Sequence, residues 1–381
     1  MKIKFSLFLL VVFLLCACAT GSTQTVSPAS VLPTITSTNT IKPVPTQTVL
    51  PTPTPGKTLL VSSEQDSGPG SLRRALQDAQ DGDTISFDTD IFPPKNPKTI
   101  ALHSGLPPLR GGITIDASNA GVILDGSQAG GEWQAGLDID SEKNIIMGLE
   151  IANFSGPGIL LRENAKNNII GGERSTGNGP FGQGNLIRNT SDGIGLRGSG
   201  NVIQGNLIGT DITGKEKWGN RNPGIFIEES ASDNIIGPDN IIAYNGKDSG
   251  GGVEIRSLSA QRNHIIRNNI YDNASRAIYY NVSESGTLPI PQPPLLLDFD
   301  LEKGMVTGIA CANCTVEFFT SDEVGQVFEG NTQTDANGNF NFQKAGGFQG
   351  DLLTATSYAE NQNNSEFSAP VSGSARSLAF Q

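Results

Sequence analysis

The chain has 381 residues, a formal net charge of -12 and 36% hydrophobic residues, with 46 glycines and 22 prolines. That charge disfavours nucleic acid and anionic headgroups as partners. Two histidines and four cysteines are too few for a dense metal cluster, so no cofactor is expected.

Residues 1–18 read as a secretion signal, with Lys2 and Lys4 ahead of an apolar run from Phe5 to Leu15 broken by Ser6. Leu15-Cys16-Ala17-Cys18 resembles the lipobox of bacterial lipoproteins. That resemblance implies lipidation of Cys18, because Cys16 follows Leu15 where a small residue is needed. Several acyl chains would anchor the protein stably to a membrane. Residues 19–57 carry no acidic or aromatic side chain and are dominated by Thr, Ser and Pro. Such a segment buries too little to fold and predicts an extended tether. The expected location is the bacterial cell envelope, lipid-anchored and facing outward.

The folded region is expected over 58–287. LLVSS predicts a strand, and Ser71 caps a short helix that puts Leu72, Ala75, Leu76 and Ala79 on one face. DTISF returns to strand. A helix here would cover the open end of a stacked β structure. GSLRRAL followed by DTISF resembles the N-terminal cap motif of bacterial secreted β-helix proteins, C-S-L-R-E-A-I, with Gly70 in place of the Cys and Arg74 in place of the Glu.

Residues 141–283 repeat one pattern five times: Asn-x-Ile, a glycine-centred turn, then Gly-Ile opening a short apolar/polar alternation. Self-similarity at about 20 to 50 residues signals a solenoid, and period-two alternation of Ile and Val signals strands. The expectation is an all-β chain built on a parallel β-helix. NVIQGNLIGTDITG (201–214) is similar to repeats of right-handed parallel β-helix proteins of the pectate-lyase-like fold, a resemblance that covers about 59–283. It implies a fold and no particular activity, because that fold serves lyases, hydrolases, tailspikes and adhesins.

Asn144, Asn168, Asn201, Asn234 and Asn263 open the repeats and are read as a structural ladder. Aligning the Gly-Ile segments turns Ile159, Leu161, Ile194, Leu196, Ile225, Ile227, Val253 and Ile255 inward. Two outward ladders follow, with neighbours about 4.8 Å apart. One reads Asp138, Leu160, Gly195, Phe226, Glu254, Tyr279; the other Asp140, Arg162, Arg197, Glu228, Arg256, Asn281. Phe226 and Tyr279 are candidate sugar-stacking aromatics, and Arg162, Arg197 and Arg256 candidate glycan ligands. Stacked Arg162 and Arg197 would welcome an anion. The competing reading of the same ladders is a lattice of surface ion pairs. Glu228 and Glu254 on adjacent coils suit paired-carboxylate chemistry only if the chain is an enzyme. NTSDG (189–193) approaches the N-T-D block of polygalacturonase-like enzymes, but their D-D, G-H-G and R-I-K blocks are missing. His264 reads as structural, and His103 has no evident partner.

From 288 to 375 the composition changes. LPIPQPPLLLDFD marks a crossing into a β-sandwich of about 75 residues, similar to the immunoglobulin-like modules that follow such β-helices. Cys311-Ala-Asn-Cys314 has the spacing of a zinc half-site without its other half, so a local disulfide is expected outside the cell. Asn337-Gly338 predicts a hairpin turn.

The sequence thus points to a monomeric surface lipoprotein whose β-helix is a rigid, non-catalytic binding arm for glycans. The alternative is a polysaccharide lyase or glycoside hydrolase using Glu228 and Glu254.

Overall fold

The computed structural model describes residues 56–282, 289–322 and 325–375. The expected signal peptide, Cys18 and nearly all of the tether lie outside them.

Gly, Asn and Asp interrupt the apolar runs so often that each strand of the repeat region is only two to four residues long. The corners use left-handed backbone, as at Asn153 (φ 63°), Asn189 (φ 52°) and Asp233 (φ 60°), residue types that tolerate it. These strands form three parallel sheets. The first has eight strands, from Thr58–Val61 to His264–Ile265; the second has seven, from Lys98–Ala101 to Asn269–Tyr271. The third has six, from Leu137–Ile139 to Ile278–Tyr280. Within each sheet neighbours follow chain order, while successive repeat strands pass to a different sheet. That is a parallel β-helix.

Its core is one continuous stack. Ile146, Ile170, Ile203, Ile236 and Ile265 come from the first sheet, Ile151, Ile187, Ile208, Ile242 and Ile270 from the second, and Ile159, Ile194, Ile225, Val253 and Ile278 from the third. The inward residues predicted for the third sheet are all buried there.

The asparagine ladder is structural, as expected, with each rung fully buried. From Asn144 through Asn168, Asn201 and Asn234 to Asn263, each Nδ2 donates to the next Oδ1, at 2.8, 2.9, 3.0 and 2.7 Å. Two further ladders were not foreseen. Asn185, Asn206, Asn240 and Asn268 open the second-sheet strands, at 3.0, 3.0 and 2.9 Å. Thr190, Asn220, Asn245 and Asn273 precede the third, at 2.7, 2.8 and 3.0 Å. These amides also satisfy bend carbonyls, as Asn201 Nδ2 does Ala165 O at 2.9 Å.

Both ends are closed. The helix Leu72–Asp78 starts at Ser71, whose side chain accepts from Arg74 N, and buries Leu72 and Leu76 in the β-helix core. At the other end stand a four-stranded and a three-stranded antiparallel sheet from residues 295–375, enclosing Val306, Val316, Phe318 and Leu353. This sandwich continues the β-helix instead of merely following it. Asn363 Oδ1 accepts from Asn263 N at 2.9 Å and Nδ2 at 3.1 Å, and Asn364 bonds Ile265 N and O at 2.8 Å each. His264 packs on Tyr358, ring centroids 4.7 Å apart. Cys311 and Cys314 form a disulfide. The Asn337-Gly338 turn is present but is not a hairpin. It links Gly325–Gln333 in one sheet to Asn339–Gln343 in the other, and Asp335 Oδ1 accepts from Asn337 N and Asn339 N at 2.8 Å each.

A candidate binding wall on the third sheet

The outward ladders hold in register: Asp138 pairs with Leu160, Leu160 with Gly195, Gly195 with Phe226, Phe226 with Glu254 and Glu254 with Tyr279. The second ladder follows one turn of pleat later, with Arg162 N, Arg197 N, Glu228 N, Arg256 N and Asn281 N each donating to the preceding coil.

What the side chains do there differs from the expectation. Phe226 is 2% exposed and packs against Leu160 and Ala135, so it offers no face to a sugar. The reason is Gly195: a Cβ there would meet Phe226 Cζ at 2.4 Å, so the glycine leaves the hollow in which the ring lies. Arg256 covers the ring, its Cζ 4.5 Å from the centroid. Tyr279 is half-buried, and its Oη is enclosed without a well-formed hydrogen bond among the described residues. Burial, reinforced by Glu254, raises its pKa.

Nor do Arg162 and Arg197 present a shared anion site. Arg162 turns to Asp138, bidentate at 2.6 and 2.7 Å. Arg197 turns the other way to Glu228, 2.7 Å from Nε to Oε1, with Glu163 and Glu229 each at 3.6 Å. The hydrogen bond to Asp138 raises the Arg162 pKa in spite of desolvation. A hydrogen bond that the Glu229 carboxyl donates to Glu163 raises the Glu229 pKa and, second to a backbone hydrogen bond within Glu163 itself, lowers that of Glu163.

The centre of the wall is Arg256. It lies 3.0 Å from Glu254 Oε2, 3.4 Å from Asp192 Oδ1 and 3.7 Å from Glu228 Oε2. Burial opposes its charge, yet Glu254, Asp192 and Glu228 outweigh it and hold its pKa above the usual value. Glu254 is itself 3% exposed and accepts from Asn281 Nδ2 at 2.6 Å. Asp192 is the aspartate of NTSDG; sequence reasoning noted the motif but not its place on this wall. Burial raises its carboxyl pKa against the pull of Ser191, Arg256 and Asn222. Ser191 Oγ donates to Asp192 Oδ2 at 2.8 Å, and Asn222 Nδ2 supports Ser191 at 2.9 Å. Glu228 and Glu254 therefore flank one guanidinium instead of facing each other across an open gap. His103, without a partner in the sequence, lies 3.8 Å from Asp66.

Fold and wall together define a capped parallel β-helix repeat protein with a C-terminal β-sandwich, as the sequence resemblance implied. Residues 109–287 match the family model described as "NosD: Periplasmic copper-binding protein (NosD)". Among solved structures, an alginate lyase from Paenibacillus sp. strain FPU-7 is similar at 16% identity and TM-score 0.29, over 59% of this chain and 74% of that one. The enzymatically active domain of tailspike protein 2 of bacteriophage CBA120 is similar at 11% identity and TM-score 0.20, over 74% of this chain and 59% of that one. No curated protein matches.

Proposed function

We propose that the chain is an exported, non-catalytic binding arm of the cell envelope, lipid-held at Cys18, whose third-sheet wall takes a hydroxyl-rich surface glycan. The observation that carries this reading is a fixed lattice that keeps part of itself in water. The side chains of Arg162, Arg256, Arg197 and Glu228 remain 37%, 30%, 21% and 20% exposed while paired. A guanidinium has five N–H donors and a carboxylate about four acceptor sites, so paired groups keep directional capacity for sugar hydroxyls. Holding them rigid beforehand lowers the entropy cost of binding. Because each arginine already has its carboxylate, the wall favours neutral hydroxyls over uronate groups. The match to a family described as periplasmic supports export.

That description also names copper, and the residues do not fit it. Among the described residues no group of three or more His, Cys, Asp or Glu could hold a metal ion. His264 is engaged with Tyr358 and Ala359 O, and Cys311 and Cys314 are oxidised to each other.

The enzyme alternative now centres on Asp192 and Glu254, with the Asp192 carboxyl pushed toward its protonated form by burial. A glycan array, run with reducing-sugar and unsaturated-product assays, separates the two readings. Binding of neutral glycans without turnover, lost in Arg256→Ala, is expected. Turnover abolished by Glu254→Gln or Asp192→Asn would replace the binding arm with an enzyme.

A further inference from the structure

A second polar recess lies away from the wall, at the corner between the first and second sheets. The loop after Ile169–Gly171 carries Arg174, which lines a cavity of about 520 Å³ with Gly172, Glu173, Gln204, Pro238 and Asp239. Arg174 Nη1 donates to Gly205 O at 3.3 Å and to Asp239 O, carbonyls from the next two coils. These bonds clamp the guanidinium while leaving its Nε and Nη2 edge without an acceptor among the described residues. No carboxylate among the described residues forms an ion pair with it; Glu173 is instead bound by Ser175 Oγ at 2.6 Å and Thr176 Oγ1 at 3.4 Å. Burial lowers the Arg174 pKa, with Asp239 as the opposing influence. A half-buried guanidinium with no ion pair among the described residues is costly to keep. Glycines let adjacent backbone pack closely beside the recess: a Cβ at Gly205 would meet Gly172 O at 1.8 Å, and one at Gly172 would meet the Gln183 side chain at 2.8 Å.

We infer that this recess binds an oxyanion group, carboxylate or sulfate, carried by a hydroxyl-bearing ligand. The free edge of Arg174 forks onto the oxyanion, the geometry at which guanidinium excels. Gln204 and Asp239 accept from the hydroxyls, which is why a charged sugar suits the recess better than a bare anion: Asp239 repels the latter with nothing gained. The site is independent of the wall, since none of its residues belongs to the third sheet.

Isothermal titration of the full chain with galacturonate, glucose 6-sulfate, glucose and inorganic sulfate tests this. One equivalent of at least one charged sugar binds, while glucose and inorganic sulfate bind at least about tenfold more weakly, a factor of ten being one charge-assisted hydrogen bond. Arg174→Gln weakens the charged sugar by about tenfold or more, and Arg174→Lys, which keeps charge but not the fork, does so to a smaller degree. Gln204→Glu leaves the clamp untouched and adds a repelling charge, so it too weakens binding about tenfold. A wild-type chain that binds neither charged sugar, or variants that bind as wild type does, would overturn the assignment. Inorganic sulfate binding as tightly as the sugars would overturn its hydroxyl part. Loss in Arg256→Ala with retention in Arg174→Gln would place the binding on the wall instead.

Discussion

Asn363 of the sandwich stands one rung beyond Asn263 in the buried ladder of the β-helix, although 100 residues separate them. Its Oδ1 takes the backbone and side-chain protons that another coil would take, and its Nδ2 donates to Ala260 O at 2.7 Å. Stacked repeats need a cap that supplies such partners. Asn363→Ala leaves several buried groups unsatisfied, each worth roughly 1–3 kcal/mol. Urea unfolding is expected to show a loss of about 2–5 kcal/mol on that basis. A chain stopped at residue 287 exposes the open strand ends and self-associates in sedimentation. A monomeric truncated chain of unchanged stability would show that the sandwich is an appendage.

The same junction makes stability depend on pH. Glu317, 2% exposed, accepts from Arg267 N at 3.0 Å, and burial pushes its carboxyl pKa up to about 7 despite that bond and the Arg267 charge. The unfolded chain titrates this group near 4.3. Between these values the folded state binds the extra proton, so this contribution is full below about pH 4 and lost as pH rises through 7. Its size is on the order of 3 kcal/mol. Glu317→Gln should remove that slope, and comparing urea midpoints of both chains at pH 5 and pH 8 isolates it from other carboxylates. Identical pH profiles would refute the assignment.

The sequence made the first asparagine ladder visible because Asn-x-Ile recurs with the repeat. The second carries the same unit, in Asn185-Leu186-Ile187, Asn206-Leu207-Ile208, Asn240-Ile241-Ile242 and Asn268-Asn269-Ile270, and so was equally legible, whereas the third starts from a threonine and its asparagines open no such unit. Register on the third sheet was readable because alternation fixes which side chains leave the core. It says nothing about what covers them. The fate of Phe226 turned on a missing side chain one coil away, at Gly195, and the arginines on which neighbouring carboxylate each rotamer reached. Asn363 carries no periodic signal, because its partner lies in another part of the chain.

Phe226→Ala distinguishes a packing residue from a ligand. Emptying the hollow formed by Gly195, Leu160 and Ala135 costs about 3–5 kcal/mol, the range for a buried phenylalanine. The melting temperature should fall accordingly. Glycan affinity, measured where the variant is still folded, should change less than in Arg256→Ala. A stable variant with selectively lost binding would restore Phe226 as a contact.

Arg256 is tested by removing charge while keeping bulk. Arg256→Met still covers Phe226 but leaves Glu254 and Asp192 buried without their cation, at a cost of about 3 kcal/mol for a pair broken on one side. Burial already raises the Asp192 pKa, and loss of Arg256 removes one of the influences that lower it. The deficit is therefore greater at pH 8, where the carboxylate must stay charged, than at pH 5, because lowering the pH moves it toward its protonated form. Pairing Arg256→Met with Glu254→Gln should recover part of the loss, since the second change removes the charge that the first strands. Urea midpoints of the single and double variants at both pH values measure this coupling. Strict additivity would mean that the two side chains are neighbours on the wall without being partners.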